Sequence, residues 1–104
     1  MTDRDLILNR ADSAVLSRDF FLAARLYKSL LQKAPDDQTL MFKLGSMYTK
    51  SGKDDQALPY YEKIIDADSG NFKALLALGG IYRRIKQYDK SIMVLQKALK
   101  TGVD

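Results

Sequence analysis

The sequence predicts an all-α fold of three tandem helix-turn-helix repeats, six antiparallel helices in all, on three observations. The first is self-similarity at a fixed period. Leu44-Gly45-Ser46-Met47-Tyr48 returns as Leu78-Gly79-Gly80-Ile81-Tyr82, an offset of 34 residues. The same step joins Ala23 to Ala57 and Ser91, Tyr27 to Tyr61 and Leu95, and Leu30 to Ile64 and Ala98. One period sustained over three copies is the mark of a repeat array. The second observation is that apolar residues recur at helical spacing within each copy. The third is that no strand pattern, linker or low-complexity stretch interrupts them.

Taken in order, the helices are expected at residues 4–17, 20–34, 38–50, 54–67, 71–84 and 88–100. In the first, Leu6, Ile7, Ala11, Ala14 and Val15 make one apolar face, and in the second Phe20, Ala23, Ala24, Tyr27, Leu30 and Leu31 do the same. The breaks within repeats are Ser17-Arg18-Asp19, Ser51-Gly52-Lys53-Asp54 and Ile85-Lys86-Gln87-Tyr88-Asp89. Gly52 suits a helix C-terminus and Asp54 the following N-cap. Between repeats, Ala34-Pro35-Asp36-Asp37 and Asp68-Ser69-Gly70-Asn71 stop one helix and start the next, Pro35 being unable to continue a helix. Pro59 falls past the first turn of the fourth helix, which predicts a lost backbone bond with a bend or a late start there. The repeats run over about 4–37, 38–71 and 72–104, one domain over 1–104.

Small and large residues alternate in a register that close helix packing requires. Ala11, Gly45 and Gly79 on first helices and Ala23, Ala57 and Ser91 on second helices are small. Tyr27, Tyr48, Tyr61, Tyr82 and Leu95 are their large counterparts. A glycine inside a helix costs about 1 kcal/mol against alanine, so Gly45 and Gly79 need a packing reason. The tyrosines read as core rings with the hydroxyl at the edge.

Composition narrows the chemistry. With 46% hydrophobic and 29% charged residues, the 104-residue chain has globular make-up. Cysteine and histidine are both absent, which removes disulfides, thiol nucleophiles, thiolate zinc sites and the commonest general base. No enzyme and no cofactor is expected: Asp36-Asp37 and Asp54-Asp55 stand at helix starts, where acids complement the dipole. No apolar run is long enough to span a bilayer, and Met1-Thr2-Asp3-Arg4-Asp5 carries acids where a signal peptide is basic, so no membrane partner and a cytoplasmic setting are expected. The net charge of +4 is unevenly spread, the last repeat carrying +5 from seven cations and two acids. These cations spread around two helices without a paired aromatic platform, which argues against nucleic acid as partner.

The repeated residues resemble the tetratricopeptide repeat over nearly the whole chain. The middle copy supplies Met41, Leu44, Gly45, Tyr48, Ala57, Tyr61 and Ile64, and the third supplies Leu75, Leu78, Gly79, Tyr82, Ser91, Leu95 and Ala98. The first supplies Ile7, Ala11, Ala23, Tyr27, Leu30 and Pro35 but has Arg10 and Ala14 where leucine and tyrosine are usual, so its first helix should be the least typical. The resemblance implies a right-handed α-solenoid in which the first helix of each repeat lines a concave groove, and a groove that binds a peptide or helix of a partner protein. The positions it places there are Leu8, Asn9, Asp12 and Leu16; Phe42, Lys43, Ser46 and Lys50; and Lys73, Leu76, Ala77, Gly80, Arg83 and Arg84.

A subset of that family clamps the C-terminal carboxylate of heat-shock chaperones with Lys and Asn on the first helix, Asn on the third, and Lys and Arg on the fifth. The corresponding residues are Leu8, Asp12, Lys43, Lys73 and Ala77, of which only Lys73 matches, so this chain is not expected to be of the clamp type. What it offers is Leu8, Phe42 and Leu76 in one row, flanked by Lys43, Lys50, Lys73, Arg83 and Arg84. Such a row suits an apolar anchor with acidic flanks, unless the three side chains instead pack between neighbouring first helices. On the last helix Ile92, Met93 and Leu99 are expected to lie partly open, either because the chain is a fragment of a longer array or because weak self-association covers them. A structural scaffold assembling through open repeat ends is therefore the alternative to peptide capture.

Overall fold

Local chemistry at the turns defines the helices. The computed structural model describes residues 1–102 and contains α1 (Asp3–Leu16), α2 (Phe20–Lys33), α3 (Gln38–Lys50), α4 (Asp54–Ala67), α5 (Phe72–Arg84) and α6 (Tyr88–Thr101). Each boundary lies within one residue of its expected place. No strand occurs among the described residues. Positions 103 and 104 of the expected third repeat lie outside them.

Side-chain caps start four of the helices. Thr2 and Asp5 form a reciprocal capping box at α1, while Asp19, Asp37 and Asn71 accept from Leu22 N, Leu40 N and Ala74 N at 3.0–3.1 Å. Asp54, expected as an N-cap, is instead the first helical residue of α4, and the carbonyl of Lys53 accepts from Ala57 N at 3.0 Å. Asp54 and Asp55 thus act in the first turn, where negative charge meets the free N–H groups. Nor does Pro59 delay α4, which runs through it. Proline has no N–H to donate to the carbonyl of Asp55, and both residues are exposed.

The three turns within repeats share one conformation. Arg18, Gly52 and Lys86, spaced by the repeat length, have φ of +62°, +76° and +66°. After each, the next N–H reaches back to close the helix end: Asp19 to Ala14 O, Lys53 to Tyr48 O and Gln87 to Tyr82 O, all at 2.8 Å. This is a left-handed C-terminal cap, for which glycine is the unstrained residue. Only the middle repeat has it.

The chain divides into two compact units, Met1–Ala57 and Leu58–Asp104. In the first, α2 packs on both α1 and α3. Ala11, Ala14, Ala23, Ala24, Tyr27, Leu30, Leu40, Met41, Leu44 and Met47 are buried there, and Arg4 of α1 pairs with Asp37 at 3.0 Å. Ala14, which stands where tyrosine is usual in the repeat it resembles, is buried, and α1 is the least amphipathic of the helices, in keeping with an atypical first repeat.

In the second unit, α5 packs on α6. Leu75, Leu78, Ile81, Tyr82 and Ala98 are buried, and Gly79 supplies the close approach: a Cβ there would lie 2.4 Å from Leu95 Cδ2. Ser91, at the alanine position of its repeat, is buried and donates from Oγ to Gly79 O at 2.8 Å, which satisfies its hydroxyl. Leu95 is 40% exposed, less enclosed than its equivalents Tyr27 and Tyr61. Ile92, Met93 and Leu99 are exposed, as expected.

Candidate functional site

Helical spacing builds the site in the first unit. Asp12, Val15 and Leu16 of α1 and Phe42, Lys43, Ser46 and Met47 of α3 are each grouped at steps of three or four, so each set shares one helix face. Between these faces lies a cavity of about 390 Å³, with Tyr27 of α2 as its eighth lining residue. Val15, Leu16, Phe42 and Met47 make its walls mainly apolar, and Leu16 at the rim is 86% exposed.

Its polar groups are tied together. The Tyr27 hydroxyl donates a short hydrogen bond to Asp12 Oδ1, and Lys43 Nζ donates to the same oxygen at 3.2 Å. Lys43 Nζ also stands 5.6 Å from the centre of the Tyr27 ring, within range of a cation–π contact. These bonds, that from Tyr27 foremost, hold the Asp12 carboxyl below its ordinary pKa of 3.8. Burial, with the Asp12 carboxylate second, pushes the Tyr27 phenol well above its usual range. At neutral pH the cluster is therefore an anion, a neutral phenol and a cation. Its net charge is zero.

Of the groove positions expected from sequence, Asp12, Leu16, Phe42, Lys43 and Ser46 meet at this cavity. Leu8 is half-buried outside it, and Lys50 is exposed with its ammonium 5.6 Å from the Phe20 ring centre. Asn9 lines a different hollow, of about 430 Å³, with Leu6, Arg10, Ser13, Ala14, Ser17 and Leu22. The small Ala14 side chain, in place of a tyrosine, leaves room there. In the second unit Lys73, Leu76, Ala77, Gly80 and Arg84 share a face of α5, with Arg83 beside it. Leu76 is 45% exposed, and Lys73, Arg83 and Arg84 are exposed.

Sequence reasoning missed Val15, Tyr27 and Met47 as site residues. Val15 and Tyr27 read as core, yet their positions three residues from Asp12 and one repeat step from Tyr61 say nothing of which edge remains open. Met47 had a usable signal, four residues after Lys43 on the same face. Lys43, expected among the cations that flank the apolar row, pairs with Asp12, which uses its charge internally.

Helix pairs joined by short turns, repeated at one period with small residues where helices meet, define a helical-repeat protein. The tetratricopeptide repeat profile matches residues 8–72 and 50–102, and the chain belongs to that family. As such it is a protein–protein interaction module in the general sense of the family.

Solved structures share the fold. A crystal structure of MamA protein is 26% identical with a TM-score of 0.88, covering 94% of this chain and 54% of that one. The Sgt2 tetratricopeptide-repeat domain from Aspergillus fumigatus is 20% identical with a TM-score of 0.85, covering 98% of this chain and 68% of its own. A further MamA structure, 21% identical, has a TM-score of 0.88 with 97% and 59% covered. This chain thus spans about half of the MamA chain in the first comparison. Comparison with curated proteins returned no match. Among the described residues, no helix is long and apolar enough to cross a membrane.

Proposed function

We propose that the face formed by α1 and α3 captures a partner peptide or helix by seating one apolar side chain in the cavity between Asp12 and Met47. The observation that carries this reading is a mainly apolar hollow of about 390 Å³ between α1 and α3, with half-buried Phe42 in its wall. Pockets that bind side-chain-sized groups have this make-up: apolar walls and a few convergent polar groups. The row expected from sequence contributes through Phe42, with half-buried Leu8 of the same unit as a further apolar contact.

An acidic flank on the partner remains part of the reading, now assigned within the first unit to the exposed Lys50 and not to Lys43. Rim charges of this kind act mainly on encounter rate and are screened by salt. The protein is not of the chaperone-clamp type, since Asp12 presents a carboxylate where an anionic tail would need a donor. Low-micromolar binding of a chaperone-tail peptide would contradict that. A cytoplasmic setting belongs to the same reading and rests on composition.

Selection from a random peptide library tests the proposal. Enriched peptides should share an apolar anchor with nearby acids and should lose at least about tenfold in affinity on Phe42→Ala. Peptides indifferent to Phe42→Ala would overturn it. The second reading, a scaffold that self-assembles through open repeat ends, draws on the exposed Ile92, Met93 and Leu99 of α6. A strict monomer in sedimentation at high concentration would sink it.

A further inference from the structure

We infer that the cavity of α1 and α3 selects an anchor that is bulky, uncharged and equipped with one hydrogen-bond donor, the indole N–H of tryptophan fitting best. This rests on the reading of the cavity as an anchor pocket and adds which chemistry it accepts. The central observation is the half-used Asp12 carboxylate. Its Oδ1 takes both the Tyr27 hydroxyl and Lys43 Nζ, whereas Oδ2 accepts no hydrogen bond among the described residues, and the side chain is 46% exposed. An ionised carboxylate is acceptor-only, with two oxygens to satisfy.

The consequences for a ligand follow from charge and desolvation. An anchor without a donor strips water from Oδ2 and gives nothing back, which weakens binding. An acidic anchor meets Asp12 as a like charge. A cationic anchor meets the ammonium of Lys43, already bound to Asp12, and must shed its hydration against Val15, Phe42 and Met47. A neutral donor avoids all three penalties. Size and shape narrow the choice further, because about 390 Å³ lies near the low end for ligand sites and the aromatic residue Phe42 lines it. Such walls favour a flat aromatic side chain, and indole combines that shape with a single N–H donor.

The test uses two neutral probes that differ only in that donor. N-acetyltryptophanamide and its 1-methylindole analogue are each titrated into the isotope-labelled chain, following the backbone amide signals of Val15, Ser46 and Met47 by NMR. The expected result is that both move these signals, with the methylated probe about tenfold weaker, as for a lost bond to a charged acceptor. In Asp12→Ala the two probes should bind alike. Should Asp12→Ala lose its helical circular-dichroism signal, Asp12→Asn replaces it. There Tyr27 and Lys43 both seek the amide oxygen, which turns the amide N–H₂ toward the ligand and should remove the preference. Equal affinities in the wild type, or a preference that survives in both variants, would overturn donor selection and leave the pocket standing. No movement of those amides with either probe would overturn the pocket itself.

Discussion

The Tyr27 hydroxyl donates to Asp12 across two helices, and Lys43 of a third helix donates to the same oxygen. Three elements of the first unit thus meet at one carboxylate. Tyr27→Phe removes a bond to a charged acceptor and should cost about 1–2 kcal/mol, at the lower end for such bonds because Asp12 is partly exposed to water. Urea denaturation measures it. Combined with Asp12→Ala, the loss should be less than additive, since either change alone breaks the shared bond.

The pH dependence follows from the same cluster. Asp12 has its folded pKa lowered below 3.8, first by the Tyr27 hydrogen bond and then by Lys43. A lowered carboxyl contributes stability that is complete above the unfolded value and is lost as pH falls through the folded one. Tyr27 is shifted the other way, raised above 10.0 by burial and by Asp12, so its contribution holds below that value and is lost as pH rises through the folded pKa. Thermal unfolding should therefore show acid loss below about pH 4 that Asp12→Asn flattens, and alkaline loss above about pH 10 that Tyr27→Phe flattens.

The turns offer a gain of stability. Arg18 and Lys86 hold the left-handed conformation that Gly52 adopts without strain. A side chain there costs about 1–2 kcal/mol, partly offset by glycine's greater freedom when unfolded, so Lys86→Gly should stabilise by about 0.5–1 kcal/mol. Arg18→Gly should gain less, because the Arg18 guanidinium lies 5.4 Å from the Phe20 ring centre and that contact is lost. Gly52→Ala, subject to the same offset, should destabilise by about 0.5–1 kcal/mol. Paired denaturant curves of the three variants check the ranking.

Helix contact in the second unit depends on Gly79 and Leu95. With an added Cβ 2.6 Å from Leu95 Cγ, Gly79→Ala forces that side chain to move. Overpacking of this kind costs about 1–3 kcal/mol, set against the gain in helix propensity. Leu95 is partly exposed and can swing outward, so the lower half of that range is expected. Adding Leu95→Ala should remove most of the penalty, which a double-mutant cycle of thermal stabilities would register.

The fold was legible because its rules are local and repeated. Pro35, Asp37 and Asn71 mark helix ends by their own chemistry, and the period places Ala23 against Ala57 without knowledge of any contact. Asp54 was misplaced by one position because Asp and Lys53 both precede an amphipathic run, and only backbone geometry separates cap from first turn. The site was less legible for a physical reason. Phe42, Ser46 and Leu16 fall on the predicted inner face, but the pairing of Lys43 with Asp12, 31 residues apart, depends on side-chain directions in two helices. No periodicity encodes that. Nor does it encode why Tyr27 reaches the cavity as well as the core, since a ring can be 2% exposed and still present its hydroxyl to an edge.

The central claim is that the first unit seats a partner's anchor between α1 and α3. Amide chemical-shift mapping with a library-selected peptide tests it most directly. The account predicts that the largest shifts fall on Asp12, Val15, Phe42, Ser46 and Met47, and that Phe42→Ala abolishes them while Ile92→Ser on α6 does not. Shifts centred on α6 and lost with Ile92→Ser would contradict it.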